Sequence, residues 1–237
     1  MNRLVVVTGP TASGKTTLAI QLARVLGTEI VSADSRQLFR DIPVGTATPA
    51  PDELAAVRHH FIAELGLEEY YSAAQYEEDV VRLLPDIFSR CGGNAVMCGG
   101  SMMYVDAVCN GIDRLPTVSA DNRRRAYGLY DEGGLSAVVS ELERVDPAYL
   151  RSAPDLMNHK RLIHALEISL EAGVPYSSLL TGEKKPRPFE IVKFAIDYPR
   201  EELFSRINRR VEEMMDNGLI EEARKVYPRR HLNSLNT

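Results

Sequence analysis

At residues 9–16 the chain reads Gly9-Pro10-Thr11-Ala12-Ser13-Gly14-Lys15-Thr16, which matches the pattern G-x-x-x-x-G-K-[ST] at every specified position. An apolar run, Leu4 to Val7, directly precedes this segment, and apolar residues recur at helical spacing after it as far as Leu26. A strand, this glycine-rich turn and a helix together present backbone N–H groups and a positive helix end to phosphate. The segment therefore predicts a phosphate-binding loop at the edge of a parallel sheet.

Two side chains of this loop have predicted roles. Lys15 supplies a mobile positive charge for the outer phosphate oxygens, and the Thr16 hydroxyl is placed to hold a magnesium ion. Residues Gly9 to Gly14 bind a diphosphate or nucleotide mainly through backbone N–H groups, which all of them except Pro10 carry. The loop alone does not indicate which phosphoester it binds.

The rest of the chain alternates between strands and helices. Further strands are predicted at Glu29 to Ser32, Asn94 to Cys98 and Phe189 to Ile196, and the last carries apolar residues on both faces, as in a covered sheet. Ser72 and Gln75 form a capping box that begins one intervening helix. This order predicts an α/β fold, a P-loop NTPase-like parallel sheet flanked by helices.

Between residues 115 and 187 the pattern indicates helices alone, over 121–130, 135–142 and 156–172. Because a strand follows at Phe189, this block is interpreted as an inserted all-helical domain. The predicted core domain then comprises residues 1–114 and 188–237.

Composition is that of an ordinary globular protein, with 44% hydrophobic and 26% charged residues among 237. Neither a signal peptide nor a membrane span is recognisable, so we expect a cytoplasmic protein that does not bind membranes. Cys91, Cys98 and Cys109 lack the spacing of a zinc site or a disulfide framework. The formal net charge of −5 argues against bulk attraction to nucleic acid, although a local basic surface remains open.

A second polar group follows the second predicted strand, in the segment Ser32-Ala33-Asp34-Ser35-Arg36-Gln37. There the Asp34 carboxylate could bind magnesium or accept a proton from a nucleophile. It could equally cap backbone amides in a polar turn, and spacing alone leaves both alternatives open.

Taken with the loop, later segments form an ordered series that resembles the tRNA dimethylallyltransferase family. Near-matches to its motifs span almost the whole chain, and they are Val44-Gly45-Thr46-Ala47-Thr48-Pro49, His59-His60, Gly99-Gly100-Ser101-Met102-Met103-Tyr104, Asn158 to Glu167, Arg206 to Met214, and Gly218-Leu219. The chain departs from the family pattern at Thr48, usually lysine, Ser101, usually threonine, and His164, usually arginine. The family pattern also continues beyond Leu235-Asn236-Thr237, so part of the tRNA-binding surface is expected to be missing.

The resemblance implies transfer of a dimethylallyl group from dimethylallyl diphosphate to N6 of the adenosine 3′-adjacent to the anticodon of tRNA. In that mechanism residues 9–16 bind the diphosphate leaving group with Mg²⁺ at Thr16, and Arg206 clamps the same group. Asp34 is similar to the family's general base, and Ser101 hydrogen-bonds near the reacting amine. The chain is expected to act as a monomer on the anticodon stem-loop.

The target base must leave its stack, and the contacts expected for it and its neighbours are made by Asp34, Ser35, Arg36, Gln37 and Ser101. Further tRNA contacts are expected in the helical insertion, at Arg125, Lys160, Arg161 and His164. For each arginine of the insertion, a solvated helix face is as good an interpretation as an RNA contact. The adjacent histidines His59 and His60 are interpreted as loop structure rather than as a metal site.

Three other functions share some of these features. A small-molecule or nucleotide kinase has the same loop but needs an acceptor site and usually a lid that carries arginine. An adenylate prenyltransferase would have little use for the cations of the insertion. A nucleotide-dependent switch without catalysis would not need both Asp34 and Ser101.

Overall fold

The structure, a computed structural model, describes residues 1–153 and 155–235. Its central sheet has five parallel strands in the order β3-β2-β4-β1-β5, which confirms the predicted parallel α/β fold. The strands are β1 (Arg3–Thr8), β2 (Ile30–Ser32), β3 (His59–His60), β4 (Asn94–Cys98) and β5 (Glu190–Ala195).

Helices connect and flank these strands. They are α1 (Lys15–Leu26), α2 (Pro51–Ala56), α3 (Ala73–Arg90), α4 (Met102–Asn110), α5 (Ala120–Val145), α6 (Pro147–Ser152), α7 (His159–Ala172), α8 (Tyr176–Leu179), α9 (Arg200–Asp216) and α10 (Leu219–Val226). Short 3₁₀ turns follow at Tyr227–Arg229 and Asn233–Leu235. Within the described residues no helix is both long and apolar enough to cross a bilayer.

Local sequence signals set the helix ends. Gly27 ends α1 in the left-handed conformation, at φ 60° and ψ 43°, where a glycine carries no steric penalty. The capping box predicted at Ser72 and Gln75 is confirmed, since each side chain accepts the backbone N–H of the other residue.

Apolar side chains fill both faces of the sheet. One core joins β1, β2 and β4 to α3 and α4, and the other joins the opposite faces of the same strands to α1. Tyr76 is fully buried in the first core, where it stacks on Tyr104 at a centroid distance of 4.3 Å and donates a 2.7 Å hydrogen bond to the Ser32 carbonyl. That bond satisfies a hydroxyl which would otherwise be buried at a cost.

Two sequence interpretations of strands were wrong. His59 and His60 form β3, which pairs with β2, rather than a loop. The strand β5, which lies at the edge of the sheet beside β1, is covered only in part: Ile191 packs against the first core, whereas Phe194 is 49% exposed. An apolar pattern on two faces indicates what a strand can bury, but it contains no information about what packs there.

The chain divides into two compact units, the first Met1–Ile112 with Lys184–Thr237 and the second Asp113–Glu183. We call the first the sheet unit and the second the helical unit. Within the helical unit α5 packs on α7 around a core that includes Leu142, Leu162 and Leu166. Gly134 interrupts α5 with φ 64° and ψ −161°, which accounts for the two separate helices predicted there.

A buried carboxylate in the sheet unit binds the chain on both sides of the insertion. Glu77 accepts hydrogen bonds from Lys185 Nζ at 2.8 Å and Arg187 Nη2 at 2.6 Å, and its Oε2 lies 3.4 Å from the Ile112 backbone N–H. Burial alone would raise the pKa of Glu77, but the hydrogen bonds from Lys185 and Arg187 outweigh it and lower that pKa.

Candidate active site

The strand order places three loops side by side. The loops after β2, β4 and β1 begin with Ala33, Gly99 and Gly9, and these strands are neighbours in the sheet. Asp34 is the second residue of the loop after β2. Because all strands are parallel, the three loops lie at the carboxyl edge, where open α/β sheets bind ligands. Polar residues that are distant in sequence therefore meet at one site.

The phosphate loop requires its two glycines. Gly14 begins α1 with φ 83°, a backbone conformation that strains other residues. At Gly9, where φ is 152°, a β-carbon would lie 2.9 Å from Ser13 Oγ and 3.0 Å from the Ile196 carbonyl oxygen. The loop therefore packs so tightly against Ile196, the residue after β5, that position 9 has no room for a side chain.

Lys15 lies folded against its own loop. Its Nζ donates a 2.7 Å hydrogen bond to the Pro10 carbonyl. Burial lowers the pKa of Lys15, and Arg210 lowers it further, whereas Asp34 raises it. The Asp34 carboxylate thus offsets part of the effect of burial on the Lys15 pKa.

Helix α9 brings two arginines to this loop. Arg206 Nε donates a 2.7 Å hydrogen bond to the Ala12 carbonyl, and its guanidinium lies 4.8 Å from the centroid of the Tyr198 ring. Arg210, one turn further along, has a buried Nε that finds no hydrogen-bond partner among the described residues. The buried Oγ of Ser13 also lacks a partner in that part of the chain. Buried donors of this kind are usually satisfied, so both are suited to an anion.

These groups surround a cavity of about 840 Å³. Residues 12–17 line one side, segment 43–51 with Glu53 another, and α9 and the Asn217 that follows it the remainder. Four cationic side chains, Lys15, Arg206, Arg209 and Arg210, face it against two carboxylates, Glu53 and Glu213. The excess of positive charge suits a diphosphate. Gly9, Pro10 and Thr11 are not among the lining residues and shape the turn behind it.

Asp34 makes the capping contacts of a polar turn, one of the two roles that the sequence left open for it. Its Oδ1 accepts the backbone N–H groups of Arg36 at 2.9 Å and Gln37 at 3.3 Å, as a polar turn requires. Among the hydrogen bonds within residues 1–153 and 155–235, none involves Oδ2. One oxygen therefore holds the turn, and the other is available to a substrate.

Ser101 is bound directly to the Asp34 turn. Its Oγ accepts the Ser35 backbone N–H at 2.9 Å and donates to Ser35 Oγ at 3.1 Å. Its own backbone N–H donates to the Ala33 carbonyl at 3.1 Å. The structure thus brings together Asp34, Ser35 and Ser101 as the sequence expected. Their catalytic and tRNA-binding roles stay predictions.

Arg36 and Gln37, expected at the target base, also make contacts inside the protein. The Arg36 side chain donates a hydrogen bond through Nη1 to the Ser234 carbonyl. Burial lowers the pKa of Arg36, although Tyr104 and Asp34 each raise it in part. Gln37 Nε2 donates to the carbonyls of Thr46 at 3.2 Å and Ala47 at 3.0 Å. Both side chains therefore also position neighbouring segments. Of the segment Leu235-Asn236-Thr237, the last two residues lie outside the described part.

The remaining predicted tRNA contacts lie in the helical unit. Arg125, Lys160, Arg161 and His164 are all exposed. Arg125 is 3.9 Å from Glu141, and His164 is 3.9 Å from Glu167. Both contacts are long, and the Arg125 guanidinium and the His164 ring each remain more than half exposed to solvent. By contrast, the neighbouring Arg123 binds the buried Glu167 at 3.3 Å, which is a structural contact.

Sequence reasoning did not assign Arg210 or Arg209 to the site. The available signal was spacing, since Arg210 follows Arg206 by one helical turn and so shares its face. The sequence indicates Val44 to Pro49 only as a motif, without a role in the site. Its position opposite the phosphate loop depends on tertiary contacts that no local pattern contains.

The IPP transferase family model matches residues 37–237. The chain is 50% identical over 237 residues to tRNA dimethylallyltransferase 2 of Parabacteroides distasonis, covering 100% of this chain and 79% of that protein. It is 51% identical over 234 residues to tRNA dimethylallyltransferase 1 of Phocaeicola vulgatus, covering 99% and 77%.

Solved structures agree with these relatives. The full-length tRNA isopentenylpyrophosphate transferase of Bacillus halodurans superposes with a TM-score of 0.65 at 32% identity, over 100% of this chain and 74% of that one. A eukaryotic dimethylallyltransferase shares the fold with a TM-score of 0.75 at 23% identity, over 97% and 57%. With a family match over most of its length and relatives about half identical to it, the chain belongs to the IPP transferase family.

Proposed function

We propose that this protein is a tRNA dimethylallyltransferase. It transfers the dimethylallyl group of dimethylallyl diphosphate to N6 of the adenosine 3′-adjacent to the anticodon and releases diphosphate. One observation carries the proposal: the phosphate loop and the Asp34–Ser101 turn are adjacent. A β-carbon at Gly100, next to Ser101, would lie 4.0 Å from Lys15 Nζ. A leaving-group site and a site for a nucleophile are thus side by side.

Departure of the leaving group is assisted by the cavity. As the bond between the dimethylallyl carbon and oxygen breaks, negative charge grows on the diphosphate. Residues 12–16, which include Lys15, and Arg206 line the cavity in which that charge develops. Arg210 Nε adds a donor that has no hydrogen-bond partner among the described residues. Preorganised donors of this kind stabilise the transition state more than the ground state.

The nucleophile is activated on the neighbouring turn. The N6 nitrogen bonds to the dimethylallyl carbon and loses one proton, which Asp34 accepts at Oδ2. Its Oδ1 is fixed by the amides of Arg36 and Gln37, so the carboxylate cannot swing away from the amine. Ser101, held by Ser35, orients the same amine through its hydroxyl.

The residues present fit a magnesium ion shared with the substrate. Among the described residues no three His, Cys, Asp or Glu side chains cluster to hold a metal by themselves. Thr16, however, offers a hard hydroxyl oxygen on the wall of the diphosphate cavity, and Mg²⁺ usually combines few protein ligands with phosphate oxygens and water. Bound there, the ion would neutralise charge on the diphosphate.

The tRNA is the partner, and the protein acts on it as a cytoplasmic monomer. The target adenosine leaves its stack to reach Asp34, at a cost of about a few kcal/mol. Arg125, Lys160, Arg161 and His164 in the helical unit contact the RNA backbone, where each phosphate contact strengthens the salt dependence. The sheet unit and the helical unit divide these tasks between prenyl transfer and tRNA binding.

The direct test incubates the protein with labelled dimethylallyl diphosphate and unmodified tRNA, followed by nucleoside analysis. We expect N6-dimethylallyladenosine at the position 3′ to the anticodon. Label on free adenine nucleotides instead would indicate an adenylate prenyltransferase. Transfer of phosphate from ATP, with no prenyl product, would indicate a kinase.

A further inference from the structure

A carboxylate outside the predicted site binds one wall of the diphosphate cavity. Glu222, on α10, accepts the Val44 backbone N–H through Oε2 at 2.7 Å and the Gly45 backbone N–H through Oε1 at 2.8 Å. Both of its oxygens are used, and both bonds are charge-assisted, which makes them stronger than bonds between neutral groups. Glu222 therefore joins α10 to the segment 43–48, which we call the wall loop.

The wall loop faces the ligand site. Pro43, Val44, Ala47 and Thr48 line the cavity together with residues 12–17 of the phosphate loop and Arg206. The wall loop also contains a strained position, since Ala47 has φ 45°. A residue other than glycine keeps that conformation only where surrounding contacts impose it. Glu222 supplies two such contacts from outside the cavity.

A chain of hydrogen bonds continues from the wall loop through Gln37 to Asp34, the proposed general base. Gln37 Nε2 donates to the carbonyls of Thr46 at 3.2 Å and Ala47 at 3.0 Å, and the Gln37 backbone N–H donates to Asp34 Oδ1 at 3.3 Å. The wall loop is thus held by Glu222 on one side and Gln37 on the other. Displacement of the wall loop would change the shape of the cavity directly. It would change the position of Asp34 only through Gln37.

We propose that Glu222 is a positioning residue that holds the wall loop in place for the allylic diphosphate. This inference rests on the proposed function. It assigns Glu222 an effect on diphosphate binding, because the wall loop lines that cavity and none of the predicted tRNA contacts lies on it. Glu222 touches no reacting atom and acts through Val44 and Gly45.

Glu222→Gln is the informative variant, because it keeps the size of the side chain but places an amide N–H₂ against one of the two backbone donors. We expect the KM for dimethylallyl diphosphate to rise about tenfold, as loss of a charge-assisted bond predicts, while the KM for tRNA stays within about twofold. The matched control is Glu221→Gln, whose exposed carboxylate forms a single ion pair within the described residues, with Arg224 at 3.9 Å on the same helix. It should leave all constants unchanged.

A second variant changes Gly45, which donates one of the two hydrogen bonds to Glu222. At Gly45 a β-carbon would lie 3.1 Å from Glu222 Oε1, so Gly45→Ala should push the carboxylate a few tenths of an ångström from the backbone N–H groups and raise the same KM. This variant decides the matter if Glu222→Gln does not fold. Unchanged KM for dimethylallyl diphosphate in a folded variant overturns the inference, as does an equal rise in both KM values.

Binding of inorganic diphosphate separates this inference from the proposed function. Calorimetric titration of the wild type and Glu222→Gln needs no turnover. Weaker diphosphate binding by the variant supports the role of Glu222 even if the wild type transfers no prenyl group, a result that would overturn the function alone. Equal affinities overturn the role of Glu222 even if tRNA is prenylated.

Discussion

Gly99 approaches Ala33 so closely that a β-carbon at position 99 would lie 2.2 Å from the Ala33 carbonyl oxygen. This approach lets the loop after β4 pack against the loop after β2, and the Ser101 N–H then reaches that same carbonyl at 3.1 Å. The pairing of Ser101 with the Asp34 turn therefore depends on the absence of a side chain at Gly99.

Gly99→Ala should consequently separate the two loops. Overlap with a backbone oxygen cannot be relieved by rotation of a side chain, so we expect a loss of about 3 kcal/mol in unfolding free energy and little remaining transfer. Denaturant unfolding and a transfer assay measure these effects. The control is Gly66→Ala, where the nearest atoms to a β-carbon lie at 3.5 Å. Equal stability of the two variants would refute the argument.

Arg206→Lys tests the clamp on the diphosphate. Lysine keeps the charge but loses the planar donor set and the Nε bond to the Ala12 carbonyl, so affinity for inorganic diphosphate should fall about tenfold. Titration calorimetry gives this value directly. Arg224→Lys, at an exposed position on α10, should bind like the wild type. A clamp role is excluded if both variants bind equally well.

Glu77 should make stability depend on pH. Its pKa is lowered in the folded state, so the stabilisation is fully present above the unfolded value of about 4.5 and is lost as the pH falls through the folded pKa. We expect Glu77→Gln to cost about 3 kcal/mol at pH 7 and progressively less as the pH falls below about 4.5 and through the folded pKa. Unfolding curves over a series of acidic pH values and at pH 7 test this. Glu190→Gln, which breaks the exposed pair with Arg3, should cost under about 1 kcal/mol.

Arg161→Ala should weaken tRNA binding and flatten its salt dependence. Loss of one phosphate contact lowers the slope of log K against log salt by about 0.8. Binding measured over a salt series gives the slope. Arg144→Ala removes a cation of the same unit that is already paired with Glu141 at 2.7 Å, so its slope should match the wild type. An unchanged slope for Arg161→Ala would assign that residue to structure.

The sequence predicted the features that depend on neighbouring residues. The phosphate loop, the end of α1 at Gly27 and the beginning of α3 at Ser72 all have short-range signals, because a left-handed glycine or a capping side chain acts within one turn. Alternating strands and helices were enough to indicate the parallel sheet. These features placed Lys15 and Asp34 at one edge of it.

Contacts between distant residues could not be predicted in this way. The bond from Arg206 to Ala12 joins residues 194 apart, and that from Glu222 to Val44 joins residues 178 apart. Neither leaves a local pattern, since each depends on how α9 and α10 pack on the sheet unit. The exposure of β5 was mispredicted for the same reason.

The central claim, that Asp34 accepts the N6 proton, is tested most directly by single-turnover transfer with Asp34→Asn. The amide oxygen of asparagine can still cap the N–H groups of Arg36 and Gln37, so the turn is retained while the basic oxygen is lost. We predict that this variant binds diphosphate within about twofold of the wild type and transfers dimethylallyl to tRNA at least about 100-fold more slowly. Transfer near the wild-type rate would contradict the account.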